Sequence, residues 1–161
     1  MKKYWLWLMV FILCVCTACA VPGSGDEPII DYPVYDWGVT LTAKDVTERG
    51  LTIVCTQSGG EAKGELQTGS WYEVQKLENG NWKKVEYTAI DEEYVGWTSE
   101  AWCVPKGETV EWTVDWSWLY ESLPAGEYRI GKEIMDWRGT GDYDTYRLYS
   151  DNFSIAWLVD G

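Results

Sequence analysis

Short runs in which apolar and polar residues alternate fill the chain from residue 37 onward, and turn residues separate them. A period of two is typical of half-buried β-strands, whereas an amphipathic helix needs a period near 3.6. The clearest case is Asn79-Gly80, which stands between alternating runs at 72–76 and 82–87. Asn-Gly favours a hairpin because a type I′ turn needs positive φ at both central residues. The sequence therefore predicts an all-β protein.

The other runs set the expected number of strands. They lie at residues 39–43, 51–56, 109–116, 128–134 and 143–157. Residues 57–69 are polar and contain four glycines, so we expect a loop there, and residues 88–102 are irregular. Residues 150–152 interrupt the last run, and only residues 116–121 suit a single helical turn. About seven antiparallel strands at this spacing indicate a β-sandwich.

The N-terminal segment is typical of an export signal. Two lysines precede an apolar stretch at residues 4–16, which is too short for a membrane span because a spanning helix needs roughly 20 apolar residues. Thr17-Ala18-Cys19 resembles the lipobox of bacterial lipoproteins, in which cleavage precedes a cysteine that carries lipid. Cys16 stands where that motif usually has leucine. We expect residues 1–18 to be removed and Cys19 to be acylated, as with palmitate.

An ordinary secretory signal cut close to Cys19 is the alternative, and it would release a free secreted protein. Residues 19–36 favour the tethered form, because a polar segment with proline and glycine behaves as a flexible spacer. The sequence thus predicts a signal peptide at 1–18, a tether at 19–36 and a β-domain at 37–161. The expected location is the outer face of a bacterial cell membrane.

The composition excludes several kinds of partner and site. Without residues 1–18 the chain keeps 11 basic and 26 acidic residues, a net charge of −15. Such a surface repels nucleic acids and anionic lipid headgroups. Histidine is absent, which excludes Ser-His-Asp or Cys-His catalysis and a His-ligated zinc site. We therefore expect no cofactor, no metal and no catalytic residue.

Two cysteines lie in the predicted domain, Cys55 and Cys103. A disulfide is chemically permitted in an oxidising compartment. Cys55 shares the inward face of its predicted strand with Leu51 and Ile53. Spacing alone does not establish the short Cα separation that a bridge requires. The sequence leaves open both a disulfide and two buried thiols that never meet.

Two blocks of sequence resemble a bacterial immunoglobulin-like domain family found on exported proteins and lipoproteins. They read Val-Asp-Trp-Ser-Trp-Leu-Tyr at 114–120 and Leu-Pro-Ala-Gly-Glu-Tyr-Arg-Ile at 123–130. The resemblance extends over roughly residues 37–155. It implies an Ig-like β-sandwich, no enzyme activity and no general ligand. Cys103 precedes the fifth strand, so a bridge here would not be the usual inter-sheet disulfide of immunoglobulins.

The block that ends at Tyr128 also resembles the corner before strand F of such sandwiches. In that corner a tyrosine hydroxyl bonds the backbone a few residues upstream. We therefore interpret Tyr128 as structural.

Ten tryptophans follow residue 18. Those on strand faces or at motif positions are expected in the core, namely Trp82, Trp112, Trp116 and Trp118. Other aromatic residues lie in irregular segments, where binding surfaces usually lie: Trp97, Trp102, Trp137, Tyr94 and Tyr143. This second set is a candidate stacking platform for sugars or peptides. Core packing is the alternative for Trp97 and Trp137.

Three carboxylates, Asp136, Asp142 and Asp144, surround two glycines in residues 136–144. Oxygen ligands on a flexible loop can hold calcium, but the glutamate that closes an EF-hand loop is missing. A solvated hairpin turn is the favoured interpretation.

Three functional hypotheses follow. The first is a displayed, non-catalytic binding or structural module with a protein, peptide or glycan ligand. The second is an accessory or sensor subunit of a membrane complex. The third and least favoured is a carboxylate-based hydrolase.

Overall fold

The computed structural model describes residues 34–156. Within them ten strands form: β1 (Val39–Lys44), β2 (Gly50–Gln57), β3 (Glu65–Thr68), β4 (Glu73–Glu78), β5 (Asn81–Lys84), β6 (Trp102–Cys103), β7 (Thr109–Asp115), β8 (Gly126–Gly139), β9 (Asp142–Tyr149) and β10 (Phe153–Ile155). One helical turn, α1 (Ser117–Tyr120), follows β7, and a 3₁₀ turn spans Glu92–Tyr94. No helix in this part of the chain is long and apolar enough to cross a membrane.

The strands pair into two antiparallel sheets. The first has the order β1-β2-β7, and the second has the order β5-β4-β8-β3-β6, with β9 and β10 also paired to β8. Apolar side chains of both sheets belong to one core. The fold is an all-β, sandwich-like arrangement, which confirms the predicted fold class.

The ten strands occupy seven strand positions in the two sheets, because three of these positions are each filled by two shorter strands. β3 and β4 pair with successive parts of the same side of β8, and β9 and β10 pair with the other side. β6 and β5 pair in turn with β3 and β4. Between β3 and β4, the four residues 69–72 lie opposite only Lys132 and Glu133 of β8. This irregularity determines the position of the candidate site.

The alternating pattern accounts for which side chains enter the core. In β2, Leu51, Ile53 and Cys55 are buried and their neighbours are half-buried. The hairpin between β4 and β5 turns at Asn79 and Gly80, whose φ angles are 52° and 80°. The short-range hairpin signal in the sequence is thereby confirmed.

Two expectations about these elements are wrong. Residues 57–69 are not entirely loop, because Leu66 and Thr68 of β3 face the core and the Thr68 hydroxyl donates to the carbonyl of Glu133 at 2.7 Å. The glycines on both sides conceal this four-residue strand. Trp116 is completely buried as expected, but Trp82 lies beside the guanidinium of Arg129 on the outer face, 4.6 Å from ring centre to Cζ.

The predicted signal peptide, Cys19, residues 19–33 of the predicted tether and Trp157 lie outside the described residues. At the boundary, the ring of Tyr35 stacks on Trp37 with 4.7 Å between ring centres. The backbone carbonyl of Asp36 accepts a hydrogen bond from the amide of Glu61 at 2.7 Å. Packing of the domain thus includes Tyr35, two residues before its predicted start.

Candidate functional site

A cavity of about 230 Å³ opens between edge strand β7 and the segment 96–102, and we call it the aromatic pocket. Its lining residues are Ile53, Ser70, Tyr72, Gly96, Trp97, Thr98, Trp102, Trp112, Thr113, Val114, Asp115, Trp118 and Lys132. Four of its residues are tryptophans, which supply large, rigid surfaces with one polar N–H each. Tryptophan is therefore the most frequent residue type in the lining of the pocket.

Two pairs of tryptophans form the walls. Trp112 follows the inward face of β7 opposite Ile53, and its ring stacks on that of Trp102 from β6, with 6.0 Å between centres and 25° between planes. Trp118 of α1 meets Trp97 edge to face, with 5.3 Å between centres. The offset and edge-to-face geometries are those that aromatic pairs prefer. Each wall is thus held by ring packing between separate elements.

Part of this aromatic surface faces solvent. Trp118 is 41% exposed, which contradicts its expected place in the core. Trp97, Trp102 and Trp112 are half-buried. The four-residue turn α1 buries Leu119 and Tyr120 instead, so Trp118 points to the other side. Clustered aromatic surface at the mouth of a concave site is typical of binding sites.

Lys132 lies at the inner wall of the aromatic pocket and is only 2% exposed. Its ammonium group donates to the carbonyl of Gly69, at the irregularity between β3 and β4. It also lies 5.2 Å from the ring centre of Trp102 and 6.0 Å from that of Trp112, within the range of cation–π attraction. Burial lowers the pKa of Lys132 to about 8.

Sequence reasoning missed Lys132 as a site residue. The available signal was its position in the alternation of β8, where Ile130 and Ile134 occupy the same inward face. A lysine among inward residues of a strand is unusual because a buried charge is costly.

Asp115 stands at the rim of the aromatic pocket and is exposed. Its carboxylate accepts hydrogen bonds from the hydroxyl of Ser117 at 2.6 Å and from the amide of Ser117 at 2.8 Å. These bonds hold the pKa of Asp115 below its usual value. The rim therefore carries a fixed hydrogen-bond acceptor.

The aromatic residues of the predicted platform occupy more than one place. Trp97 and Trp102 both line the aromatic pocket, whereas Trp137 and Tyr143 do not. These two lie opposite each other in the β8–β9 hairpin and are 39% and 52% exposed. Tyr94 lies in the 3₁₀ turn and is exposed. The structure thus brings together in the aromatic pocket only Trp97 and Trp102 of the five predicted platform residues.

Cys55 and Cys103 are both free thiols. Cys55 points into the core from β2, while Cys103 lies opposite Gln67 on the outer face of β6 and is exposed. The Cys103 thiol donates to a carboxylate oxygen of Glu65 at 2.6 Å. The two side chains face different directions from different sheets, so no bridge joins them in this structure.

Tyr128 is completely buried in β8. Its hydroxyl donates to the carbonyl of Pro124 at 2.6 Å, four residues upstream. This is the geometry of a tyrosine corner, and it fixes the entry of the chain into the central strand.

The carboxylates of residues 136–144 gather around one guanidinium. Arg138 lies 3.1 Å from Asp136, 2.9 Å from Asp142 and 3.0 Å from Asp144. Asp136 also accepts the backbone amide of Lys63 at 3.0 Å. In the described part of the chain no group of three or more acidic or cysteine side chains is arranged to hold a metal ion.

A larger cavity of about 350 Å³ borders Cys103 and the glycine-rich residues 59–64. Its buried polar side chain, Gln57, makes three hydrogen bonds within the protein. The Gln57 amide donates to the carbonyls of Trp37 and Gly59 and accepts from the amide of Gly107. Among the described residues its lining contains no aromatic side chain, so the aromatic pocket is the better candidate for stacking a ligand.

Comparison with known proteins agrees with this architecture. A family model described as Bacterial Ig-like domain matches residues 36–152. No curated protein and no solved structure was found to match the chain. Domains of the matched family are typically non-catalytic binding or structural modules. Because the match spans well over half of the chain, this protein belongs to the bacterial Ig-like domain family.

Proposed function

We propose that the protein is exported, held at the outer face of the bacterial membrane by a lipid on Cys19, and binds a ligand through the aromatic pocket of its Ig-like domain. The role is recognition without chemistry. The family supports a binding or structural module, and the lipobox-like Thr17-Ala18-Cys19 supports the anchor.

One observation carries the binding role. Four tryptophans converge on one open cavity: Trp97 and Trp102 from the segment 96–102, Trp112 from β7 and Trp118 from α1. Their packing is incomplete, since Trp118 keeps 41% of its surface exposed. A domain that needed these rings only for stability would bury them more fully, because burying apolar area stabilises a fold by roughly 25 cal/mol per Å².

Binding is tested with a glycan and peptide array probed with the purified full-length chain. A variant with both Trp97→Ala and Trp118→Ala should lose the signals that the wild type gives. Trp137→Ala is the matched control, because Trp137 is comparably exposed but lies outside the pocket. An array profile unchanged in the double variant would overturn the binding role of the pocket.

The anchor is tested separately by metabolic labelling with palmitate. We expect label in the wild type and none in Cys19→Ala. Equal labelling of the two proteins would end the lipoprotein assignment, and it would leave the binding role of the domain standing.

A further inference from the structure

Lys132 is a buried cation to which the described part of the chain offers no ion-pair partner. Among residues 34–156 no carboxylate forms an ion pair with it, and its hydrogen-bond acceptor is the neutral carbonyl of Gly69. A buried charge costs free energy unless a counter-charge compensates it. Residues 34–156 therefore place a positive charge in the lining of the aromatic pocket without a counter-charge of their own.

The groups that face Lys132 from neighbouring elements do not supply that counter-charge. Trp102 of β6 and Trp112 of β7 offer ring faces, and Cys55 of β2 is a buried thiol whose pKa is raised to about 11 by burial. Glu133 follows Lys132 in β8, but its carboxylate pairs with Arg147 at 3.4 Å on the outer face. Within residues 34–156 no carboxylate pairs with Lys132, and a bound anion would supply this counter-charge.

The remaining polar groups of the pocket suit a ligand with hydroxyl groups. Ser70, Thr98 and Thr113 are among its lining residues, the Ser70 hydroxyl donates to the Thr98 carbonyl at 3.0 Å, and Asp115 contributes a fixed acceptor at the rim. A cavity of about 230 Å³ takes one ring-sized group, since pockets for larger drug-sized molecules start near 300 Å³. Flat indole walls contact a ring along its faces.

We propose that the aromatic pocket binds an acidic sugar residue, with its carboxylate paired to the ammonium of Lys132 and its ring held between the tryptophans. This inference rests on the proposed binding function and names its ligand class. The acidic surface of the chain disfavours anions in general, so an internal cation is what permits this one anionic group to enter.

The test measures the affinity of the full-length chain for methyl glucuronide and for methyl glucoside by isothermal titration calorimetry. The two sugars differ only at C6, which is a carboxylate in the glucuronide and a hydroxymethyl group in the glucoside. We expect the wild type to bind the glucuronide at least about tenfold more tightly, because a buried charge-assisted pair adds about 1.4 kcal/mol or more. Lys132→Met should abolish this preference and keep the glucoside affinity.

Lys83→Met is the matched control, because it removes the same charge from an exposed lysine outside the pocket, and its preference should equal that of the wild type. A second readout needs no variant and covers the case in which Lys132→Met does not fold. The glucuronide preference of the wild type should decline as pH rises past about 8, where Lys132 loses its proton, while the glucoside affinity stays constant.

The outcomes separate this inference from the proposed function. Tryptophan-dependent binding of both sugars with equal affinity overturns the acidic-sugar inference and leaves the binding function intact. Failure to bind either sugar, together with Trp97- and Trp118-dependent capture of peptides that end in a free carboxylate rather than an amide, overturns the sugar class. A binding affinity that no substitution in the pocket changes overturns both proposals.

Discussion

The ammonium group of Lys132 lies 5.2 Å from the centre of the Trp102 ring, at the inner wall of a pocket built from four indoles. The ring face carries partial negative charge and offsets part of the cost of burying the cation. It does not replace a full counter-charge. The contact therefore explains how the buried lysine is tolerated and why a ligand anion would stabilise its charge further.

The first prediction concerns the pH dependence of stability. The pKa of Lys132 is about 8 in the folded domain, and that of an unfolded lysine is about 10.4. Between these values the unfolded chain binds more protons, so the free energy of unfolding rises with pH by at most about 1.4 kcal/mol per unit. Below about pH 8 both states are protonated and the slope vanishes.

The measurement is urea denaturation of the wild type and of Lys132→Met across this pH window. The unfolding free energy of the wild type minus that of Lys132→Met should increase as pH rises. Cys55, with a pKa of about 11, has the opposite slope from about pH 9 upward, but it is present in both proteins and largely cancels in the difference. If the unfolding free energies of the two proteins changed with pH in parallel, Lys132 would have to be exposed to solvent.

The contrast between Lys132 and Tyr128 shows what the sequence could reveal. Tyr128 was identifiable because its corner is a local motif of six residues, with the hydroxyl partner only four positions away. Lys132 depends on Gly69, 63 positions distant, and on rings from two other strands. Long-range strand pairing creates that environment, and no local pattern encodes it.

The difference between local patterns and long-range pairing also explains which other predictions from the sequence were correct and which were wrong. Alternation predicted the inward faces of β1, β2, β7 and β8, because one side of each strand meets the core. β3 was missed because four residues between glycines give too little alternation. The separation of Trp137 from Trp97 was not foreseeable, since sheet pairing determines which loops become neighbours.

A second prediction concerns the tyrosine corner. Tyr128→Phe removes the hydroxyl that donates to the Pro124 carbonyl, and it should lower the free energy of unfolding by about 1 kcal/mol. Tyr143→Phe is the control, because the Tyr143 side chain is exposed and loss of its hydroxyl should change the free energy of unfolding little. Equal midpoints in urea for the two variants would show that the corner does not stabilise the fold.

A third prediction concerns the thiols. Iodoacetamide applied to the native protein should alkylate exposed Cys103 slowly, because its hydrogen bond to Glu65 raises its pKa. Cys55 should react only after denaturation, since burial protects it. Peptide mapping by mass spectrometry distinguishes the two sites. Recovery of a disulfide-linked Cys55–Cys103 peptide from unreduced protein would contradict the placement of these strands.

A fourth prediction concerns the pairing of β2 with β7. A Cβ at Gly50 would come within 2.2 Å of the Val114 carbonyl oxygen, whereas a Cβ at Gly96 would meet nothing within 4 Å. Gly50→Ala should therefore destabilise the domain by about 1–3 kcal/mol. Gly96→Ala should keep the stability of the wild type. Thermal unfolding of both variants checks the close approach, and a stable Gly50→Ala variant would refute it.

The most direct test of the pocket is the ¹⁵N NMR spectrum of the indole N–H groups during titration with the tightest-binding compound from the array. The account predicts that the signals of Trp97, Trp102, Trp112 and Trp118 shift together with one dissociation constant. Trp116, buried in the core, and Trp137, on the distant hairpin, should stay in place. Shifts confined to Trp137, or binding that moves none of the four pocket signals, would contradict the claim that this domain recognises its ligand through the aromatic pocket.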